Sequence, residues 1–536
     1  MGSAAVLLAV FLVSSATFEL RQFAAPQSST KQEKTKSAEA LAAETRPPKL
    51  ESSDLGRQIE KLISESQFAS ARWGISVISL TNGAVIHQRD SDKLFIPASN
   101  MKIYTTAAAV ELLGADYRWR TSAYSNAQPD GGGIIRGDLV LYGRGAPDLV
   151  SQSRIDTHGS IAKLADGLQS RGIKRIEGNI VGDESYFRGD PIGNGWQWTD
   201  LQWYFGAEAS ALSVNGNEID VNLVPSSKSG QPPEVKVGDN LAHMTIQNRM
   251  ETSDKDVRPA IGVHRGLSNN NVEVWGQLTP SSRGFGARLS VHNPALWAAE
   301  LFAAALKSRG IVISGQVQSR SSRVAVNQRF DPAKANELAF VNSQPLSEII
   351  KRTNKDSNNL YAELLLRTLG RERAAIAALP PAPGRERGDD ETGLAVLRTW
   401  LSRAGVSDGR LALHDGSGLS RLNLVTPDAT ARLLVAMTKT NSAGIFKVSL
   451  PVAGVDGTLG GRLKAVSDKV EAKTGSLTYA NSLSGYLTTN RGERMAFSIL
   501  CNDQTSPGDS SRLIDQIVSL LVSHSTDSAK SAEKSE

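Results

Sequence analysis

From about Tyr117 to Arg323 the chain is dense in Gly, Asn, Ser and Pro, and its apolar runs are short, such as Gly137 to Tyr142 and Glu218 to Val224. That texture describes brief strands joined by turns and cannot be drawn into long helices. On both sides of it the pattern is helical. The chain therefore reads as a helix-bearing body split by a mostly β insertion. One helix is expected inside the insertion, starting at Asn293-Pro294, a cap followed by a first-turn proline, and ending at Gly310.

The first half of the body opens with a hairpin, Arg72 to Leu80 and Ala84 to Gln88, joined at Thr81-Asn82-Gly83. A helix follows Pro97, runs through the Ala-rich stretch after Tyr104 and stops at Gly114. The second half begins with helical patterning at Ser347 to Lys355, a break at Asp356-Ser357-Asn358-Asn359, and more helix from Leu360 to Leu369. Residues 379–390 form a Pro- and charge-rich loop. A strand at Lys469 to Leu477, a turn at Asn490-Arg491-Gly492, a strand at Met495 to Cys501 and a last amphipathic helix through Leu513, Ile517, Leu520 and Leu521 complete it.

At 536 residues the chain is too long for one core. The expected architecture is multidomain α+β. Residues 53–118 and 323–523 form one domain, 119–144 and 235–322 an inserted domain, and 145–234 a second inserted domain nested in the first. Residues 25–52 read as a flexible linker and 524–536 as a disordered tail. The apolar stretch Ala4 to Val13, followed by Ser14, Ser15 and Ala16, is shorter than a bilayer span and fits the core and cleavage site of a secretory signal over 1–24, although no Lys or Arg precedes it. The expectation is export to a periplasmic or other extracytoplasmic place. No other run approaches membrane length, so no transmembrane body is expected, and peripheral membrane contact stays open.

A net charge of +5 without a dense basic stripe argues against a nucleic-acid partner. Cys501 is the single cysteine, so no intrachain disulfide or Cys-based zinc site can form. The seven histidines are scattered with no HExxH pairing, and neither metal nor cofactor is expected.

Three short motifs carry the chemistry. In Ser99-Asn100-Met101-Lys102 the serine and lysine are three apart and share a helix face. A serine needs a group to take its proton, and burial lowers a lysine's pKa enough for it to do so. The tetrapeptide pattern alone is weak, since it recurs at Ser28–Lys31 and Ser531–Lys534. Ser357-Asn358-Asn359 lies at the helix–helix break, where short polar side chains can face a cleft or simply cap the next helix. Lys473-Thr474-Gly475 sits on a strand-like run, with a glycine that lets a ligand approach the backbone.

The ordered set SxxK, S-x-N and KTG is the signature of penicillin-binding proteins and related β-lactamases. Here each motif stands in a matching setting: helix start, inter-helix loop, edge strand. The chain resembles the low-molecular-mass class C penicillin-binding proteins, the D-alanyl-D-alanine carboxypeptidase/endopeptidases. Pro97-Ala98 with Tyr104-Thr105-Thr106-Ala107, the stretch His414 to Arg421 with Asn423 and Thr426-Pro427, Asp456-Gly457-Thr458-Leu459, Trp198-Thr199-Asp200-Leu201 with Tyr204, and Ser210 to Ser213 carry the same resemblance, which covers roughly Leu55 to Val522. Ser357 follows Ser99 by 258 positions (357 − 99), and Lys473 follows Ser357 by 116. The long first interval is what the resemblance implies for class C, whose extra domains follow the nucleophile helix.

The resemblance implies a penicillin-binding/β-lactamase-like core, an antiparallel sheet flanked by helices, in the domain 53–118 and 323–523. It implies a serine D-Ala-D-Ala carboxypeptidase or endopeptidase that acts on peptidoglycan stem peptides and crosslinks and is acylated by β-lactams. Ser99, Lys102, Ser357, Asn359 and Lys473 would be catalytic. Thr474, Gly475, Ser476, Ser420 and Arg421 would bind substrate, and Trp198, Asp200 and Tyr204 are weaker candidates for the same pocket. A β-lactamase or esterase on this core is the alternative enzyme, disfavoured by the long insertion. A non-catalytic wall-binding protein is the other, disfavoured by the intact motifs.

Overall fold

The computed structural model describes residues 54–524 apart from 151–158, 239–242, 254–257, 259, 381, 383 and 408. The expected signal, linker and tail, with the SxxK matches at Ser28 and Ser531, lie outside the described residues.

The two ends of the described chain build one sheet. Its strand order is Val470–Leu477, Ala480–Thr488, Arg494–Asn502, Arg72–Ser79, Val85–Arg89, antiparallel throughout. The Lys473 strand is thus an edge strand, as its motif suggests. Alternation along each strand sends side chains to two faces. On one face Trp73, Ile75, Val77, Phe497 and Ile499 pack against Leu55, Ile59 and Ile63 of helix Asp54–Ser64 and Ile514, Ile517 and Leu521 of helix Ser511–Ser523. On the other face Tyr486, Ala496 and Leu500 meet helices Met101–Leu113, Leu346–Lys355, Asn359–Glu372, Asp389–Arg403 and Pro427–Met437. The Met101–Leu113 helix carries apolar residues on every side, and this suits its place: residues Met101 through Val110 are all buried.

The insertion is built on a second five-stranded sheet, ordered Val317–Arg320, Ile180–Asp183, Leu139–Tyr142, Arg120–Ser125, Asn336–Asn342. Helix Pro294–Lys307 packs against it through Trp297, Ala298, Phe302 and Leu306. It starts as the sequence implies, with Asn293 capping it through a bond from Leu296 N and proline in the first turn. A second helix, Ser160–Ser170, buries Ile161, Leu164, Ala165 and Leu168 and was not anticipated. The remaining strands form small three-stranded sheets, among them Phe285–Ser290 with Glu218–Val224 and Glu234–Val237, and Thr245–Thr252 with Asn271–Leu278 and Ala260–Arg265.

Strand pairing runs across the internal divisions expected for the insertion. Ile180–Asp183, assigned to a nested domain over 145–234, pairs with Leu139–Tyr142 in the main inserted sheet. Glu218–Val224 pairs instead with Phe285–Ser290, so the nested part gathers around 218–290. Asn336–Asn342 pairs with Arg120–Ser125, carrying the insertion past 322. Hydrogen-bonded partners far apart in sequence leave no compositional mark, and this is why the boundaries shifted.

Phe302 is fully buried between this helix and sheet. Phe302→Ala is expected to cost about 3–5 kcal/mol of local stability. Faster hydrogen exchange at Ile180–Asp183 than in the wild type measures it.

Candidate active site

Ser99 is half-buried where a 3₁₀ turn, Ala98–Asn100, runs into helix Met101–Leu113. Its approach is pinned to the sheet from several sides. Ile96 N donates to Asn502 Oδ1 at 2.7 Å, Ser482 Oγ to the Pro97 carbonyl at 2.7 Å, and Asn100 Nδ2 to Ser484 Oγ at 2.7 Å. Ala98 takes a left-handed φ of 48°. Non-glycine residues in that region cost about 1–3 kcal/mol and persist where surroundings over-determine them. The neighbours explain the two glycines here. A Cβ on Gly475 would lie 2.7 Å from Pro97 O and 2.9 Å from Ser99 N, and one on Gly418 would overlap the Ala98 carbonyl.

Lys102 is fully buried one helical turn on. Its Nζ donates to Ser99 Oγ at 3.1 Å, Asn359 Oδ1 at 2.7 Å and the Ser417 carbonyl at 2.7 Å. Burial is the main cause that brings its pKa down from 10.5 to about 7, against the opposing pull of Asp415 and Glu363. It is thus an amine that can exist neutral beside a serine hydroxyl at ordinary pH. The Ser357 loop brings a second such unit. Ser357 has a left-handed φ of 56°, and Lys473 Nζ donates to Ser357 Oγ and to the Thr474 carbonyl, each at 2.9 Å. Lys473 is also fully buried, and desolvation followed by repulsion from Lys102 holds its pKa well below the usual lysine value. Asn358 caps the helix Asn359–Glu372 through Tyr361 N, so the capping duty falls to Asn358 and leaves Ser357 free to face Lys473.

The structure brings Ser99, Lys102, Ser357, Asn359 and Lys473 together from segments far apart in sequence. The edge strand adds Thr474, whose hydroxyl donates to Thr458 Oγ1 at 2.7 Å, and exposed Ser476, whose hydroxyl donates to Asn481 Oδ1 at 2.7 Å. Arg421 is half-buried and reaches across to the Thr478 carbonyl at 2.9 Å, next to the end of that strand. Ser420 has a different place from the one expected. It is fully buried, with its N–H on Asp415 at 2.7 Å, and builds the loop rather than the cleft. Trp198 is 66% exposed, so packing does not account for it. Tyr204 is exposed beneath the Arg288 guanidinium at 3.8 Å from its ring centroid. Burial raises the Asp200 carboxyl's pKa, and Arg421 draws it back.

Several supporting residues were assigned no individual role by the sequence reading. Asp415 accepts from Gly418 N, Ser420 N and Asn423 Nδ2 at 2.7–2.8 Å. Trp196, from the insertion, also donates to it at 2.9 Å. The Phe205 carbonyl, again from the insertion, accepts from Asn359 Nδ2 at 2.8 Å and so turns Asn359 Oδ1 toward Lys102. Glu363 is buried one turn after Asn359, and burial, then the Asp415 charge, raises its pKa to about 8. A glycine-rich turn around a tryptophan, Gly193 to Trp196, was a signal available for the insertion's contact. The carbonyl of Phe205 left none, since a backbone acceptor is present at every residue.

Chemically the site is a serine with a neutralisable amine, a second hydroxyl–amine pair across the cleft, and an edge strand offering backbone N–H groups. That set suits acyl transfer through a covalent serine ester. Among the described residues no group of His, Cys, Asp and Glu is arranged to hold a metal ion. No described helix is long and apolar enough to cross a membrane.

Over residues 55–524 the sequence matches the D-Ala-D-Ala carboxypeptidase 3 (S13) family. It is 32% identical over 467 residues to a D-alanyl-D-alanine carboxypeptidase of Actinomadura sp. (strain R39), spanning 85% of this chain and 82% of that one. It is 30% identical over 446 residues to the D-alanyl-D-alanine carboxypeptidase DacB of Haemophilus influenzae, spanning 81% and 86%. The crystal structure of penicillin binding protein 4 from Haemophilus influenzae aligns with a TM-score of 0.75 at 25% identity, over 88% of this chain and 100% of that one. A structure of the same protein complexed with a β-lactam aligns with a TM-score of 0.70.

A lysine accepts a proton only when neutral. With Lys102 near pH 7, the rate of Ser99 acylation should rise about tenfold per pH unit below that point and level off above it. Pre-steady-state acylation rates between pH 5 and 9 check this; a rate still climbing at pH 9 would contradict it.

Proposed function

The chain belongs to the D-Ala-D-Ala carboxypeptidase 3 (S13) family of serine peptidases, and on that premise we propose how its residues divide the work. The enzyme is a penicillin-sensitive serine D-Ala-D-Ala carboxypeptidase or endopeptidase that works through an acyl-enzyme. Ser99 Oγ attacks the carbonyl carbon of the penultimate D-alanine while Lys102 Nζ takes its proton. The negative charge on the tetrahedral oxygen is met by the N–H groups of Ser99 and Ser476. As the C–N bond breaks, the leaving amine takes the Ser357 hydroxyl proton, and the proton that Lys102 took from Ser99 passes through Lys473 to Ser357. Lys102, neutral again, takes a proton from the attacking water and returns it to Ser99 Oγ as the ester C–O bond breaks.

The observation that carries this division is the hydrogen bond of buried Lys102 to Ser99, 3.1 Å long, with Asn359 and Ser417 fixing the same amine. Lys473 points inward to Ser357, so its part is proton delivery, and the hydroxyls of Thr474 and Ser476 are the groups at the strand edge for a terminal carboxylate. Gly475 contributes its lack of a side chain, which keeps strand and nucleophile in contact. On this reading Arg421, whose bond to the Thr478 carbonyl lies beside the Lys473 strand, would meet a stem-peptide side chain together with Asp200, Trp198 and Tyr204. The substrates are peptidoglycan stem peptides and crosslinks, and a β-lactam acylates the same serine. That substrate lies outside the cytoplasmic membrane, which, with the apolar stretch at Ala4 to Val13, supports an exported, extracytoplasmic enzyme.

Fluorescent penicillin should label the wild type at one site with a long-lived adduct and leave Ser99→Ala dark. Equal labelling of the two proteins would overturn the assignment of Ser99. An adduct that turns over within seconds would point to a β-lactamase on this core. Purified enzyme should also release D-alanine from a stem pentapeptide or split D-alanyl crosslinks, as read by mass spectrometry of muropeptides.

A further inference from the structure

The proposed mechanism gives no part to the buried acid Glu363. Glu363 lies four residues after Asn359 on helix Asn359–Glu372, so the two share a face. Its Oε1 accepts from Gly416 N at 3.0 Å and Ser417 N at 2.9 Å. These two residues expose their carbonyls on the other side of the same turn. The Ser417 carbonyl accepts from Lys102 Nζ at 2.7 Å, and the Gly416 carbonyl accepts from Thr105 Oγ1 at 2.7 Å, on the helix that carries Lys102. The turn therefore stands between the carboxyl and the amine, gripped by one and gripping the other. Asp415 holds the far end of the turn through Gly418 N and Ser420 N. The charged groups around Glu363 are Asp415, Arg367 and, beyond the turn, Lys102.

We propose that Glu363 is a positioning residue for the general base: by holding the Gly416–Ser417 N–H groups, it sets where the Ser417 carbonyl fixes Lys102 Nζ relative to Ser99 Oγ. The proposal rests on the assignment of Lys102 as the base. Glu363 touches neither substrate nor the reacting atoms, so its effect belongs in the acylation step and not in recognition. Small displacements of a reacting group are costly; a shift of about 1 Å can lower a rate about 100-fold.

Two variants separate geometry from ionisation. Glu363→Asp keeps the carboxyl but draws it back by one methylene from the two N–H groups. Glu363→Gln keeps an oxygen at the position of Oε1 and replaces the titratable hydroxyl with an amide. Acylation by a fluorescent penicillin, followed over a range of concentrations, yields the acylation rate constant and the dissociation constant of the preceding complex separately. E363D should lose about 100-fold in the rate constant with its dissociation constant within about 3-fold of wild type, and E363Q should stay within about 10-fold in both. Wild-type acylation by E363D, a loss in E363Q as large as that in E363D, or a loss confined to the dissociation constant would each overturn the proposal. Should E363D be unfolded at the assay temperature, by its thermal midpoint, a folded E363Q decides: a rate loss beyond about 10-fold counts against the proposal and a smaller one for it. Failure of the wild type to label at Ser99 would instead overturn the mechanism on which the proposal rests.

Discussion

Two amines are buried in one cleft, and each would rather be in water. Lowering a lysine from 10.5 to about 7 corresponds to on the order of 5 kcal/mol of lost preference for the charged form. That loss is what the proposed role of Lys102 as a base requires, and it must be tolerated by the rest of the molecule. Lys473, beside it, is depressed by the same burial and by Lys102 itself. The surroundings supply acceptors in place of water: Asn359, the Ser417 carbonyl, Ser357 and the Thr474 carbonyl. An amine buried without them would be far more costly.

Those acceptors come from three separate parts of the fold. The antiparallel sheet carries Lys473 on its edge and anchors the Ser99 turn through Asn502, Ser482 and Ser484. The helices on one face carry Lys102 and the Ser357–Asn359 break. The loop at 415–423 is a turn with little regular structure, and buried carboxyls hold it on both sides: Glu363 from the helix and Asp415 from within. The insertion, whose main sheet is a separate layer, reaches the same centre through Trp196 and the Phe205 carbonyl. Through these two bonds it helps to set side chains of the candidate site.

The motif residues were legible because each is short, ordered along the chain and set in a recognisable local element. Helix start, inter-helix break and edge strand are local properties, visible in periodicity and breakers, and the observed elements Met101–Leu113, Leu346–Lys355, Asn359–Glu372 and Val470–Leu477 follow them closely. The capping helix at Asn293-Pro294 was legible for the same reason. The divisions within the insertion were not. Ile180–Asp183 and Asn336–Asn342 have little in their own residues to say which strand they pair with.

The amino-acid sequence alone pointed to the kind of chemistry, the candidate nucleophile and base, the order of the three motifs and the presence of a large β-rich insertion, because those depend on residue type and short-range spacing. The folded chain settled what depends on distance between remote segments: that Glu363 grips the turn behind Lys102, that Asn358 rather than Ser357 caps the helix, that Ser420 is buried in its loop, and that the insertion's backbone sets the Asn359 amide. A carboxyl four residues past a motif looks in sequence like any other helix residue. Its meaning comes from the two N–H groups that fold against it from more than fifty residues away.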